Sequence, residues 1–341
     1  MTKKKVMITG ILGNIGSVLA RQYVEDGWDV YGVIRRSSLM KLDRIESFKD
    51  KITLCYSDVA DAPSIINLIN EIRPDRLMSL AAQSDVAISF KTPASTFESI
   101  ANSTLYMLEA IRSSPELREK TRFYNSSSSE IYGASPPPQN ESTPLKPLSP
   151  YAVAKCAAHM LVQNYRVAYG LHCSNGICFN METNQRGENF LTRKVSRAVA
   201  RIKLGLQTEL RLGPLDTYRD WIWGEDAARM MRMIVEQDKS DDFVIGSGES
   251  HSVQEWVETA FNYVGLDYKQ YVVFDPSFVR PSDVPHLRSD ATKAREKLGW
   301  YPTMRFKQLV EHMVQYDLEN CARESTNMRV SRQSMGGSFG G

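Results

Sequence analysis

The sequence predicts an α/β chain: an open, doubly wound parallel sheet with a smaller C-terminal region interleaved with it. Three observations carry that prediction. A short apolar run, Lys5 to Thr9, passes straight into Gly10-Ile11-Leu12-Gly13-Asn14-Ile15-Gly16 and then into a segment of helical apolar spacing. Strand-like and helix-like runs then alternate as far as residue 180, the rhythm of parallel strands joined by crossover helices. Beyond Asn180 the rhythm breaks into a basic, polar stretch, ETNQRGENFLTRKVSRAVARIKLG.

Each element has its own signal. After the glycines, Val18, Leu19, Tyr23 and Val24 recur at helical spacing and Gly27 closes the helix. A strand, a glycine turn and a helix are the context a dinucleotide fingerprint requires, because backbone N–H groups and the helix N-terminus can then approach a pyrophosphate. Val30 to Ile34 forms the second strand, with Arg35 and Arg36 at its C-terminal end. An acidic residue there would bind a ribose 2′-OH, whereas a guanidinium suits a 2′-phosphate, so NADP is favoured over NAD. The plainer reading is that the two arginines merely end a strand. Ile52 to Tyr56 gives a third strand ending in Ser57-Asp58-Val59, with Asp58 placed to touch an adenine. Pro63 to Ile72 reads as a helix with proline in its first turn, where a missing N–H costs nothing. Arg76 to Leu80 is the fourth strand, and the small residues of Ala81-Ala82-Gln83-Ser84 permit close approach of a cofactor at its tip.

Ala101 to Ile111 is helical in pattern, and Phe123 to Asn125 end a buried strand from which Ser126 to Ser129 spill out. In open α/β sheets that C-terminal edge is where ligands bind. Tyr151 to Tyr169 follows Pro150 as a long helix whose apolar residues, including Leu161 and Val162, exceed the needs of one face, which fits packing on a partner subunit. His172 to Phe179 is a further strand, Arg219-Asp220-Trp221 leads into a helix, and Asp242 to Gly248 reads as a strand returning to the sheet. The expected division is therefore 1–180 for the nucleotide-binding part, with a returning segment near 219–247, and 181–330 for the substrate region. The Gly/Ser-rich tail 331–341 is expected to be disordered.

Chemistry concentrates after the fifth strand. Tyr151 and Lys155 are four residues apart, so on a helix they share a face one turn from each other. A nearby ammonium lowers a phenol's pKa, which would let Tyr151 act as a base near neutral pH. Ser128 could hold the hydroxyl that Tyr151 deprotonates, and Glu130 adds a carboxylate beyond what alcohol oxidation needs. A Y-x-x-x-K pair alone is usually a solvated helix face; the upstream fingerprint is what gives it weight.

Composition narrows the classes. With 42% hydrophobic and 24% charged residues and a formal charge of +2, the 341-residue chain has an ordinary globular composition, and nothing points to nucleic acid or a membrane surface. Five cysteines lack C-x-x-C spacing and five histidines form no close pair, so no metal is expected. The N-terminal apolar run is too short for a signal segment, which makes the cytoplasm the expected location.

With these residues assembled, the chain resembles the extended short-chain dehydrogenases/reductases, and among them most closely the GDP-mannose 4,6-dehydratase family. The likeness runs from about Lys5 to about Glu319 and is carried by VIRRSS, FYNSSSSEIYG, SPYAVAK, GENFLTRKVSRAVARI, YRDWIWGEDAARMM and RPSDV. It implies a Rossmann-type domain, bound NADP, a homodimer or homotetramer, and an internal redox dehydration of a GDP-linked hexose. The family's catalytic positions fall on Ser128, Glu130, Tyr151 and Lys155. Its cofactor contacts fall on Gly10, Gly13, Ile15, Gly16, Arg35, Arg36, Asp58, Val59, Leu80, Ala82 and Ser84, with Tyr151 and Lys155. Its substrate contacts fall on Ser84, Asn180, Asn189, Lys194, Arg219 and Arg280. The chain departs from the family at Asn14-Ile15, usually Gln-Asp, at Ser128, usually Thr, and at Met181 to Gly187, usually H-E-S-P-R-R-G. The last departure keeps a GDP-manno-heptose open as an alternative to GDP-mannose. A reductase of the same superfamily would need Tyr151 and Lys155 but not Glu130.

Overall fold

The computed structural model of the protein describes residues 3–37 and 42–336, with side chains as far as residue 324. The chain divides into two compact units, one of Met1–Met181, Tyr218–Ser250 and Arg280–Thr303, the other of Glu182–Thr217, His251–Val279 and Met304–Gly341.

The first unit alternates strands and helices: β1 (Lys5–Thr9), α1 (Asn14–Glu25), β2 (Asp29–Ile34), β3 (Ile52–Tyr56), α2 (Ala62–Ile72), β4 (Arg76–Ser79), α3 (Ser103–Ser113), β5 (Arg122–Ser128), α4 (Pro150–Tyr169), β6 (Cys173–Cys178), α5 (Gly224–Val235) and β7 (Phe243–Ile245). The seven strands form one sheet in the order β7-β6-β5-β4-β1-β2-β3, and every pairing is parallel. The order reverses beside β1, and the crevice outside the strand C-termini at such a switch point is where ligands sit.

Alternation along β1 explains the two layers of helix. Val6 and Ile8 pack with Leu19 and Tyr23 of α1 and Met230 and Ile234 of α5, while Met7 packs on the other face with Ile65 of α2, Leu108 of α3 and Val162 of α4. A sheet covered on both faces needs near-continuous apolar strands, and β4 is buried at every residue. Local signals fix the helix ends. Gly27, at φ 77°, closes α1, and Trp28 N–H donates to the Tyr23 carbonyl at 3.1 Å. Ser149 caps α4 by accepting from Ala152 N–H at 3.1 Å, and Gly170 at φ 65° ends it.

Some elements differ from the sequence expectation. β5 runs on through the serines, paired with β6 as far as Ser128 opposite Cys178, so Ser126 to Ser128 are buried in the ladder instead of leaving it. Their small side chains fit there, and Ser126 Oγ lies 3.6 Å from Cys178 Sγ. The helix expected from Ala101 begins at Ser103, after a π-helical turn over Glu98–Asn102. Arg280–Thr303, expected in the substrate region, belongs to the sheet unit. The reason is Asp220, which is fully buried and accepts from Ser247 N (2.8 Å), Ser247 Oγ (2.6 Å), Gly248 N (3.0 Å), Ser289 N (3.0 Å) and Ser289 Oγ (2.5 Å). One carboxylate thus fastens three segments distant in sequence.

In the second unit, helices Leu191–Lys203, Val253–Tyr263 and Phe306–Gly336 accompany a parallel pair of strands, Leu210–Leu212 and Val272–Phe274. Buried Trp256 meets Phe306 edge-on at 5.7 Å, and Ser252 with Glu255 forms a capping box at the start of the Val253 helix. The last helix enters the stretch expected to be disordered from Ser331, while 337–341 lie outside the described residues. No helix among the described residues is long and apolar enough to cross a membrane.

Replacing Asp220 by Asn turns an amide N–H₂ toward several of these donors. Asp220→Asn is expected to lower unfolding free energy by about 2–4 kcal/mol in urea denaturation. An unchanged midpoint would show that the cluster does not hold the unit together.

Candidate active site

The glycine loop opens where β1 ends. Gly10 adopts φ 73°, and a Cβ there would stand 2.9 Å from Ala81 N, so β1 and the tip of β4 approach at a distance only glycine permits. Thr9 Oγ1 reinforces the approach by accepting from Leu80 N (3.0 Å) and Ala81 N (3.1 Å). Gly13 N–H donates to the Gly10 carbonyl at 2.8 Å, and a Cβ on Gly16 would come within 2.1 Å of the same oxygen. Helix α1 then begins at Asn14, with Gly13 as its N-cap, without a side-chain cap and without an acidic residue in its first turn. The first-turn N–H groups, those of Ile15 and Gly16 among them, face an open N-terminus, which is a ready anion site. This cradle fits the pyrophosphate of a dinucleotide.

The other expected cofactor residues stand at neighbouring strand tips. Arg35 and Arg36 are exposed directly after β2, and Asp58 follows β3 with its carboxylate accepting from Ala60 N at 3.0 Å. Val59 is buried, Leu80 and Ala82 are half-buried after β4, and Ser84 is exposed. One basic residue escaped sequence reasoning: Arg44, half-buried, donates to the Leu12 carbonyl in the glycine loop at 2.7 Å. No motif pointed to it, since the contact spans a loop of irregular pattern.

Beside the loop, α4 presents Tyr151 and Lys155 on one face. Tyr151 is buried among Ile100, Ala154, Ala158, Ala82 and Val86, and the Lys155 ammonium lies 5.8 Å from its ring centroid. Lys155 donates to the Ser126 carbonyl at 2.6 Å. Burial pulls its pKa down to about 8, and Cys178 opposes that only in part. Ser128, the last residue of β5, accepts from Glu130 N–H at 3.2 Å and so starts the 3₁₀ turn that carries Glu130. Desolvation pushes the Glu130 carboxyl above its usual range, against the pull of the Arg219 and Arg280 charges, with Asp283 adding to the rise. The two guanidiniums share one acceptor: Asp283 Oδ1 stands 3.0 Å from Arg219 Nη2 and 3.1 Å from Arg280 Nη1. Asn180 N–H donates to the Asp220 carbonyl at 3.0 Å, next to Arg219. Ser128, Glu130, Tyr151, Lys155, Asn180, Arg219 and Arg280 thus all belong to the sheet unit.

Asn189 and Lys194 belong to the second unit. Lys194 lines a cavity of about 480 Å³ there, together with Arg197, Arg201, Arg211 and Phe278. Its ammonium stands 3.5 Å from the Phe278 ring centroid, and desolvation lowers its pKa while Asp275 raises it. Sequence reasoning missed the three arginines. Lys194, Arg197 and Arg201 recur at i, i+3 and i+7, so a basic helix face was there to be read.

A parallel sheet switched at a glycine loop, with a tyrosine and a buried lysine one turn apart beside it, defines a dinucleotide-binding fold of the short-chain dehydrogenase/reductase type. Solved structures share it. A dTDP-glucose 4,6-dehydratase of Streptomyces venezuelae superposes with a TM-score of 0.81 at 21% identity, covering 93% of this chain and 97% of that one. A UDP-glucose 4-epimerase of Thermotoga maritima gives 0.79 at 24% identity, covering 93% and 99%. The family described as GDP-mannose 4,6 dehydratase matches residues 7–313. GDP-mannose 4,6 dehydratase 1 of Arabidopsis thaliana is 44% identical over 331 residues, 94% of this chain and 92% of the relative. The GDP-mannose 4,6-dehydratase of Yersinia enterocolitica is 40% identical, covering 94% and 96%, and that of Homo sapiens 39%, covering 92% and 91%. The chain belongs to the GDP-mannose 4,6-dehydratase family.

The buried lysine gives the fold a pH signature. Folded Lys155 releases its proton near pH 8 and unfolded lysine near 10.5, so between those values the unfolded chain binds more protons and stability rises with pH. Below pH 8 the cost of the buried ammonium is felt in full. The unfolding free energy of the wild type relative to Lys155→Met is expected to grow by up to about 3 kcal/mol across that window. Parallel curves for the two proteins would contradict the assignment.

Proposed function

We propose that this protein converts GDP-mannose to its 4-keto-6-deoxy product by removal of water, with tightly held NADP. The observation that carries the reading is Glu130: a carboxyl lifted by desolvation stands in the same unit as the Tyr151–Lys155 face, in a chain of this family. Oxidation of an alcohol needs one proton acceptor, whereas dehydration needs a second. The names of the relatives favour the mannose reaction over the heptose and reductase alternatives.

In this reading Ser128 holds the sugar O4 hydroxyl and Tyr151 takes its proton, with Lys155 supplying positive charge from its seat on the Ser126 carbonyl. NADP, held by the glycine cradle, would supply the hydride chemistry. The 4-ketone acidifies C5–H, and Glu130 removes that proton and passes it to the C6 hydroxyl, which leaves as water. C5 then takes a proton from solvent, and Tyr151 releases to solvent the proton it took from O4. Ser84, Asn180, Asn189, Lys194, Arg219 and Arg280 bind the GDP-sugar, the last four on its nucleotide side, where the lysine and arginines suit a diphosphate. Arg35 and Arg36 take the 2′-phosphate of NADP, with the cradle of Gly10, Gly13, Ile15 and Gly16 on the pyrophosphate.

The active form is a homodimer or homotetramer. Its support is a stripe of exposed apolar residues on α4, Val153, Met160 and Val167, spaced every seventh residue as a partner helix would require. Five unpaired cysteines accord with a place in the cytoplasm.

Purified protein given GDP-mannose without added cofactor is expected to form a product lighter by one water, and an unchanged mass would refute the reading. In Glu130→Gln, turnover and solvent-deuterium entry at C5 should both fall by roughly 10²–10⁴-fold while NADP stays bound. Wild-type rates in that variant would remove Glu130 from its role. Replacing Arg35 and Arg36 by Ala should weaken NADP binding at least about tenfold more than NAD binding in titration, since only NADP loses charge-assisted bonds. Equal losses would instead mark the arginines as structural.

A further inference from the structure

We propose that His159 is a positioning residue, which through Ser127 fixes the Tyr151–Lys155 face of α4 against the end of β5. The proposal rests on the reading above, in which Tyr151 and Lys155 do the chemistry. Nothing in that chemistry calls for an imidazole, yet one is buried a turn beyond Lys155.

The geometry is a double row. Tyr151, Lys155, His159 and Gln163 follow one another at i+4 along α4. Opposite them, consecutive β5 residues receive the contacts: the Ser126 carbonyl accepts from Lys155 Nζ at 2.6 Å, and Ser127 Oγ lies 3.1 Å from His159 Nδ1. Ser128 is the next residue of the strand. His159 and Ser127 are 3% and 2% exposed, so neither can turn to water instead.

Its surroundings settle which nitrogen carries the proton. Gln163 Nε2 lies 2.7 Å from Asp242 Oδ2, so the amide's donating end faces the carboxylate, and the same nitrogen lies 3.0 Å from His159 Nε2. An amide nitrogen only donates, so His159 Nε2 accepts, and Nδ1–H donates to Ser127 Oγ. Asp242 is itself held by Arg166 and by Asn175 N and Nδ2, both at 3.1 Å. Asn175 Nδ2 also donates to the His159 carbonyl at 3.2 Å. The charged groups facing the ring are therefore Asp242 and Arg166. Burial lowers the imidazole pKa, Asp242 works against that and Arg166 with it, which keeps the ring neutral and the donor in place.

A helix held to a strand at two successive points cannot roll about its axis. With the His159 contact gone, α4 loses one of its holds on the end of β5 next to Lys155, and the ammonium would drift from the position that Tyr151 requires. A purely apolar residue would fill the same volume without specifying the roll.

The test compares His159→Leu, which keeps bulk, with His159→Asn, which keeps an N–H near Ser127. In the Leu variant kcat on GDP-mannose should fall roughly ten- to a hundredfold, as small misplacements of reacting groups do. KM for GDP-mannose should stay within about twofold of wild type, because neither His159 nor Ser127 is among the substrate contacts. The acid limb of the kcat–pH profile should move to higher pH as the lysine loses its position beside the phenol. His159→Asn should recover most of kcat and restore the limb. Should the Leu variant fail to fold, Ser127→Ala removes the same contact from the strand side and must shift the same limb. A wild-type kcat and profile in the folded variant, or equal losses in Leu and Asn, would overturn the proposal. Tyr151→Phe assayed alongside separates the two readings: an active Phe variant sinks the role of Tyr151 itself, whereas an inactive one beside an unaffected His159→Leu sinks only His159.

Discussion

Burying an ammonium with no carboxylate beside it is unfavourable, and Lys155 is 6% exposed with a backbone carbonyl as its acceptor at 2.6 Å. That contact dictates much of the first unit. The Ser126 carbonyl must point toward α4, so β5 has to remain in the ladder past Asn125, and β6 has to run alongside as far as Cys178. The side chains at that place must also be small. Gly176 in β6 shows how tight the face away from α4 is, since a Cβ there would lie 2.1 Å from the Tyr124 hydroxyl. A serine run inside a buried strand, unusual by propensity, follows from what the lysine needs.

The same logic of close approach governs the loop after β1. The Gly10 carbonyl is the common partner of Gly13 and the wall against Gly16, so three glycines answer to one oxygen. Two departures from the family pattern meet nearby: Asn14 Nδ2 donates to the Met181 carbonyl at 3.2 Å. A change at the start of α1 and a change just after β6 are therefore contacts of one another, and they are best read together.

How far the sequence could be read depended on the range of the interaction involved. The glycine turn, the alternation of strand and helix, and the i+4 pairing of Tyr151 with Lys155 are local patterns, and the parallel, doubly wound sheet followed from them. Contacts across long separations were illegible. Asp220 reaching Ser289 drew Arg280–Thr303 back to the sheet unit, although nothing between those residues announces it. The end of β5 was misjudged because serine signals a loop by its own preference, and only tertiary pairing with β6 overrides that. Asp283, which bridges Arg219 and Arg280, lies inside RPSDV, yet its acceptor role depends on a partner 64 residues away in sequence. His159 looked like an ordinary helix residue until Ser127 and Gln163 appeared on its two nitrogens.

One physical cause acts on the two titrating groups with opposite signs. Desolvation disfavours charge, so it raises the Glu130 carboxyl and lowers the Lys155 ammonium to about 8. Both therefore move toward neutrality, the range in which a proton is exchanged most readily between groups of similar affinity. The correction differs at each. Glu130 feels two guanidiniums that limit its rise and a carboxylate, Asp283, that adds to it, whereas Lys155 is opposed by the Cys178 thiol. One cause, desolvation, thus brings a carboxyl and an ammonium closer in proton affinity, and Arg219 and Arg280 work against the carboxyl's rise.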